Sequence, residues 1–130
     1  MQSADIKLEN LSYIILYVKD MVKSTEFYRD ILGVELKVAS PGWVEFKTGS
    51  TTLALHQSDS VQTVPAKGGP EVCFTVSDVD GAYAALKARS VNFFMEPHVV
   101  SSGEKVDYVA ANFRDLDGNH LSIYGVVPKG

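Results

Sequence analysis

Leu16-Tyr17-Val18-Lys19-Asp20 and Phe74-Thr75-Val76-Ser77-Asp78 each close an apolar, β-branched run and open a stretch of helical spacing. Val18 and Val76, and Asp20 and Asp78, stand the same 58 positions apart, so a strand-then-helix unit occurs twice within 130 residues. In the first unit, Leu11 to Val18 is apolar at both parities, as expected of a strand covered on both faces. Asp20 is suited to cap the following helix, because its carboxylate accepts from free first-turn amides. Ser24, Phe27, Tyr28 and Ile31 recur at helical spacing and Gly33 suits a left-handed stop, which predicts a helix over Met21 to Leu32.

The second unit repeats the pattern: a strand over Glu71 to Ser77, Asp78 as cap, and a helix over Val79 to Arg89 that buries Val79, Ala82, Tyr83 and Leu86. Short extended segments follow each helix. They are Val34 to Ala39, Trp43 to Thr48 and Thr51 to Gln57 in the first half, divided by Ser40-Pro41-Gly42 and Gly49-Ser50. In the second they are Asn92 to Val100, interrupted at Pro97, then Lys105 to Phe113, then His120 to Val126 after Asp117-Gly118-Asn119. The expected organisation is one domain over 1–130, made of a βαβββ module at 8–57, a linker at 58–69 and a second βαβββ module at 70–126. Ser58 to Gly69 is polar, holds Pro and Gly, and has no apolar period.

Composition narrows the function. An apolar fraction of 45% is ordinary for a globular core. A net charge of −4 without a Lys/Arg cluster lacks the footprint that holds a phosphate backbone, so nucleic acid is not an expected partner. Met1 to Asn10 lacks the basic flank and apolar stretch of a secretion signal, and Tyr13 to Val18 is far shorter than the roughly 20 residues that span a bilayer. Cys73 is the only cysteine, which excludes an intrachain disulfide and favours a reducing, cytoplasmic setting.

The doubled βαβββ unit, strand-Val-x-Asp before each helix, Phe27-Tyr28 and Leu32-Gly33 in the first helix, and Asp115-Leu116-Asp117-Gly118-Asn119 before the last strand resemble the glyoxalase, bleomycin-resistance and extradiol-dioxygenase (vicinal oxygen chelate) superfamily. The likeness runs from about Leu8 to Tyr124, and Leu116 stands where the family usually has proline, a change that affects only turn stiffness. The resemblance implies an α+β fold whose two curved sheets form a cleft, and a homodimer. It also implies either a metal-dependent lyase, isomerase or dioxygenase, or a metal-free drug-sequestering protein, between which fold does not choose. The positions that would hold a divalent cation in such enzymes are Tyr13, Ala54, Glu71 and Ser122 here. A cation needs at least three good nitrogen or oxygen donors, and only Glu71 is a conventional one, so no cofactor is expected at that place.

Strand alternation extends the set, since side chains two apart share a face. Tyr13 carries Ile15 and Tyr17 with it, Ala54 carries Thr52 and His56, Glu71 carries Cys73 and Thr75, and Ser122 carries His120 and Tyr124. The opposite parity, Ile14, Leu16, Val18, Leu53, Leu55, Val72, Phe74, Val76, Leu121 and Ile123, is uniformly apolar and belongs under the helices. A face mixing aromatics, two histidines and a carboxylate suits a small-molecule pocket, to which Trp43 adds a flat surface with Glu45 beside it. The expected ligand is therefore planar or partly apolar and contacts Tyr13, Trp43, His56, Glu71, His120, Ser122 and Tyr124.

Two catalytic alternatives stay open. His56, Glu71 and His120 form a donor set for a displaced zinc, iron, nickel or manganese ion. One histidine, oriented by Glu71 or Glu45, is otherwise a general base or acid without metal. Cys73 has no basic neighbour in sequence and reads as a small buried apolar residue rather than a nucleophile. His98 reads as a surface residue, and Asp115 and Asp117 as turn residues, because a calcium loop would need a later acidic ligand.

Overall fold

Two four-stranded sheets, one from each half of the chain, make up the architecture seen in a computed structural model that describes residues 6–59 and 69–130. The first sheet holds β1 (Tyr13–Val18), β2 (Glu35–Ser40), β3 (Trp43–Thr48) and β4 (Thr51–Gln57) in the order β1-β4-β3-β2. The second holds β5 (Val72–Thr75), β6 (Phe93–Ser102), β7 (Val106–Arg114) and β8 (His120–Pro128) in the order β5-β8-β7-β6. In each sheet the last strand pairs parallel with the first and antiparallel with the one before it. A helix crosses from the first strand to the far edge, and tight turns then bring the chain back as a meander. Most of the expected 58–69 linker, residues 60–68, lies outside the described residues.

The helices start where the sequence says they should. Asp20 accepts a 3.0 Å bond from the amide of Lys23, and Asp78 one of 3.0 Å from the amide of Gly81. α1 (Met21–Glu26) then widens into a π-helical turn over Phe27–Ile31, closed by Leu32 N donating to Phe27 O at 2.9 Å. The single α-helix expected to reach Leu32 is thus corrected to an α segment and a π turn. That turn buries Phe27 and Tyr28 side by side, and Gly33 at φ 77° ends it. α2 runs Val79–Ala88.

The apolar parity forms the core face. Val18, Leu53, Leu55, Val72, Leu121 and Ile123 are buried in one cluster with Tyr28, Phe46 and Phe113, and Ile14, Leu16, Phe74 and Val76 pack against it. This cluster draws residues from both modules.

Three extended segments differ from expectation. Leu11 is 67% exposed and β1 begins only at Tyr13. Glu71 precedes β5 instead of opening it. Pro97 does not interrupt β6, which runs through it with register shifts between Met95 and His98. β6 is an edge strand, and its outer side needs no ladder amide, so proline is tolerated there.

Tyr28 links the modules. Its hydroxyl donates to Asp115 Oδ2 at 2.7 Å, and burial first, then the Asp115 carboxylate, hold its phenol well above the ordinary tyrosine value. Above about pH 10 an unfolded chain releases this proton while the folded chain retains it, so the folded state binds more protons and stability falls as pH rises. Urea titrations from about pH 8 to about pH 11 should show the wild type losing up to about 1.4 kcal/mol per pH unit more than Tyr28→Phe above about pH 10. Coincident slopes would mean that this phenol does not titrate differently on folding.

Candidate functional site

Each sheet turns a polar and aromatic face away from the core, and register decides which side chains meet there. On the first sheet Tyr17 and Trp43 both align with His56, Tyr13 aligns with Thr52, and Glu45 with Ala54. The result is a continuous aromatic wall. Tyr17 and His56 have centroids 5.3 Å apart, Trp43 and His56 6.0 Å, and Tyr13 and Trp43 6.1 Å, all edge-to-face. Tyr13 and Tyr17 remain 46% and 50% exposed, so this is not a sealed core. Trp43 is half-buried, and its indole Nε1 donates to Glu45 Oε2 at 2.9 Å. Lys37 Nζ lies 3.8 Å from Glu45 Oε1. Glu45 therefore holds the indole in place.

The second wall rises from β8 and its neighbours. Ser122 aligns with Cys73 on one side and Asn112 on the other, and Tyr124 with Thr75 and Ala110. His120 aligns with Arg114, and the Phe94 ring covers both: it stacks on His120 at 5.3 Å and 25°, with the Arg114 guanidinium 5.0 Å from its centroid. Arg114 Nη1 also donates to Gly118 O at 2.8 Å. Tyr108 and Tyr124 stack in parallel at 6.3 Å. Phe94, Tyr108, Asn112 and Arg114 are absent from the sequence-based set. Alternation along β7, where Val109, Ala111 and Phe113 face the core, could have located Tyr108, Asn112 and Arg114. No such signal existed for Phe94, because β6 changes register beside it.

Cys73 is exposed, which corrects the buried apolar role expected of it: β5 is an edge strand and the Cys73 parity faces outward. Glu71 is exposed just ahead of β5. His98 aligns with Ala110 on the second sheet, and its Nδ1 lies 2.8 Å from Glu96 O, a local contact within β6.

The residues present do not fit a divalent cation at the positions the resemblance suggests. Ala54 is fully buried and has no donor, and Ser122 is a buried neutral hydroxyl. His56, Glu71 and His120 do not converge either: among the described residues no group of three or more His, Cys, Asp or Glu could hold a metal ion. Among the described residues the buried side-chain polar atoms without a hydrogen-bond partner are His120 Nε2 and Ser122 Oγ.

The turn Asp115–Asn119 sets the second wall against the first module. Asp115 Oδ1 accepts from the amides of Asp117 and Asn119 at 2.9 and 2.8 Å, and Asp117 Oδ1 accepts from Lys19 N at 3.1 Å. Asn119 Nδ2 donates to Tyr17 O at 3.4 Å, directly behind the aromatic wall. Among the described residues no helix is long and apolar enough to cross a membrane.

Known proteins share this fold. The chain is 32% identical over 120 residues to the Metallothiol transferase FosB of Staphylococcus haemolyticus, covering 90% of this chain and 84% of that one. The crystal structure of a glyoxalase/bleomycin resistance protein/dioxygenase from Alicyclobacillus acidocaldarius superposes with a TM-score of 0.74 at 18% identity, covering 89% and 90% of the two chains. Lactoylglutathione lyase from Agrobacterium tumefaciens gives a TM-score of 0.69 at 25% identity, covering 91% and 94%. A family model described as Glyoxalase/Bleomycin resistance protein/Dioxygenase superfamily matches residues 10–123. With the doubled βαβββ module, its two capped helices and this match over nearly the whole chain, the protein belongs to the glyoxalase/bleomycin resistance protein/dioxygenase superfamily.

Proposed function

We propose that the protein binds a small, partly aromatic or amphiphilic molecule on these walls without a metal ion. The observation that carries this function is the half-exposed wall of Tyr13, Trp43, His56 and Tyr17, held on the face opposite the core. Rings fixed in edge-to-face contact present a preformed apolar surface, and ordering them further on binding costs little entropy. Trp43 is braced by Glu45, which favours a rigid platform over a collapsible one. The donor chemistry at Tyr13, Ala54, Glu71 and Ser122 supports binding without a cation.

A homodimer belongs to the same proposal. β1 is an edge strand whose outer side pairs with no other strand of its sheet, an edge that a second copy would help to cover while the ring face stays open. The lone, exposed Cys73 thiol is compatible with a reducing cytoplasm.

Trp43 is the only tryptophan, so its fluorescence reports occupancy of the wall directly. Titration with a panel of aromatic dyes and antibiotics should give saturable quenching, weakened about tenfold or more in Tyr17→Ala and His56→Ala as base-free aromatic contacts are lost. Failure of every compound to saturate would defeat the proposal.

A second function, thiol transfer to a small molecule, is favoured by the 32% identity to a protein named Metallothiol transferase. Less than a tenth of an equivalent of transition metal in protein purified without chelator, and no chelator-sensitive consumption of thiol, would leave the binder. A full equivalent lost on replacing His56 or His120 would favour the enzyme with a displaced site.

A further inference from the structure

His120 and Ser122 lie two residues apart on β8, on the side opposite Leu121 and Ile123, which are both in the core cluster. Ser122 is 0% exposed and His120 is 9% exposed, yet Ser122 Oγ and His120 Nε2 have no hydrogen-bond partner. A buried donor left unpaired is destabilising, and native structures seldom retain one without a use. Two together on one strand face are a stronger signal. Their backbone positions are separated by about 6 to 7 Å, the repeat of alternate strand residues, so a single acceptor atom placed between the two side chains can meet both.

The surroundings define what that acceptor is attached to. Phe94 lies flat against the imidazole at 5.3 Å, and Tyr124, the next residue on the same face, stacks on Tyr108. The polar pair is thus flanked by ring surfaces on the same strand face. Glu71 precedes Val72, whose register partner is Leu121, and Arg114 aligns with His120, so a carboxylate and a guanidinium both flank this wall and their opposite charges favour a ligand without net charge. A serine hydroxyl and an imidazole protonated on Nε2 each donate one hydrogen bond, and a carbonyl oxygen has two lone pairs to accept them.

We propose that Ser122 Oγ and His120 Nε2 jointly hydrogen-bond the carbonyl oxygen of an uncharged aromatic carbonyl compound. Two side-chain donors thereby hold a ligand oxygen beside Ser122, a position that the family resemblance assigns to a cation. This assignment rests on the aromatic-binding function proposed above and names the polar group of its ligand.

Acetophenone and ethylbenzene are nearly isosteric and differ in that oxygen, and benzoate adds a charge. Their affinities for the full-length protein can be measured by ligand-observed NMR, together with those of Ser122→Ala and His120→Phe, the latter keeping a ring against Phe94. Acetophenone should bind about tenfold or more tightly than ethylbenzene, and each substitution should weaken acetophenone about tenfold while leaving ethylbenzene unchanged or tighter. The His120 Nε2 resonance should shift on adding acetophenone and not on adding ethylbenzene, a response that a purely structural histidine would not give. Ser122→Ala removes one atom and is expected to fold, so the inference stays testable if His120→Phe does not. Equal affinity for acetophenone and ethylbenzene, preference for benzoate, or unchanged acetophenone binding in Ser122→Ala overturns this inference alone and leaves the aromatic wall standing. Binding of none of the three probes overturns this inference, and the aromatic wall falls with it only if the dye and antibiotic panel also fails to saturate.

Discussion

Asp115→Ala is expected to lower the unfolding free energy by about 3 to 5 kcal/mol, enough to leave a marginally stable domain largely unfolded. Asp115 is 7% exposed and accepts from Tyr28 Oη at 2.7 Å, from the amides of Asp117 and Asn119 at 2.9 and 2.8 Å, and from Asn119 Nδ2 at 2.9 Å. Removing the carboxylate strands the hydroxyl of a fully buried tyrosine and releases the turn amides together, and each lost partner costs about 1 to 3 kcal/mol. Asp115→Asn keeps the shape but turns one acceptor into a donor, so an intermediate loss is expected. Urea denaturation measures both, and a double-mutant cycle with Tyr28→Phe isolates the bond between modules. A loss below about 1 kcal/mol for Asp115→Ala would show that the turn holds without its carboxylate. Because β8 starts at His120, immediately after this turn, ligand affinity at the second wall should fall in parallel with stability.

Gly125→Val is expected to destabilise by about 3 kcal/mol, the upper end of the usual overpacking range. A Cβ on Gly125 would stand 2.6 Å from Val79 Cγ2 and 3.0 Å from Val76 O. Val79 is the first residue of α2 and 4% exposed, so relieving these contacts requires moving a buried, β-branched side chain and the Val76 carbonyl. The backbone at Gly125 is not left-handed, so conformational strain is not the cause. Gly130→Val, which meets nothing within 4 Å, is the matching control and should stay within about 0.5 kcal/mol of wild type. Similar midpoints for the two variants would contradict close packing of α2 on this strand.

Much of the fold was legible in the chain. The duplicated strand-cap-helix unit forecast two modules, and Asp20 and Asp78 cap as their side-chain chemistry requires. Alternation in β1, β4, β5 and β8 separated core from outer face, because a strand has only two sides and water selects between them. The failures cluster where a long-range contact overrides a local signal. Pro97 looked like a breaker until β6 proved to be an edge, and Cys73 looked like core until β5 did. The π turn at Phe27–Ile31 leaves no mark in apolar spacing, since what it serves is the reach of Tyr28 to a residue 87 positions away.

The sequence by itself determined the repeat, the strand faces, the helix starts and the poverty of cation donors at Tyr13, Ala54, Glu71 and Ser122. All of these follow from residue type and from periodicities of two and about 3.6, which are local properties. Tertiary structure alone decided that His56 sits between Tyr17 and Trp43, that Phe94 covers His120, and that His120 Nε2 and Ser122 Oγ are buried without partners. Those relations depend on register between strands distant in sequence, and register is settled only when whole sheets pack, because a one-residue slip would exchange one face for the other.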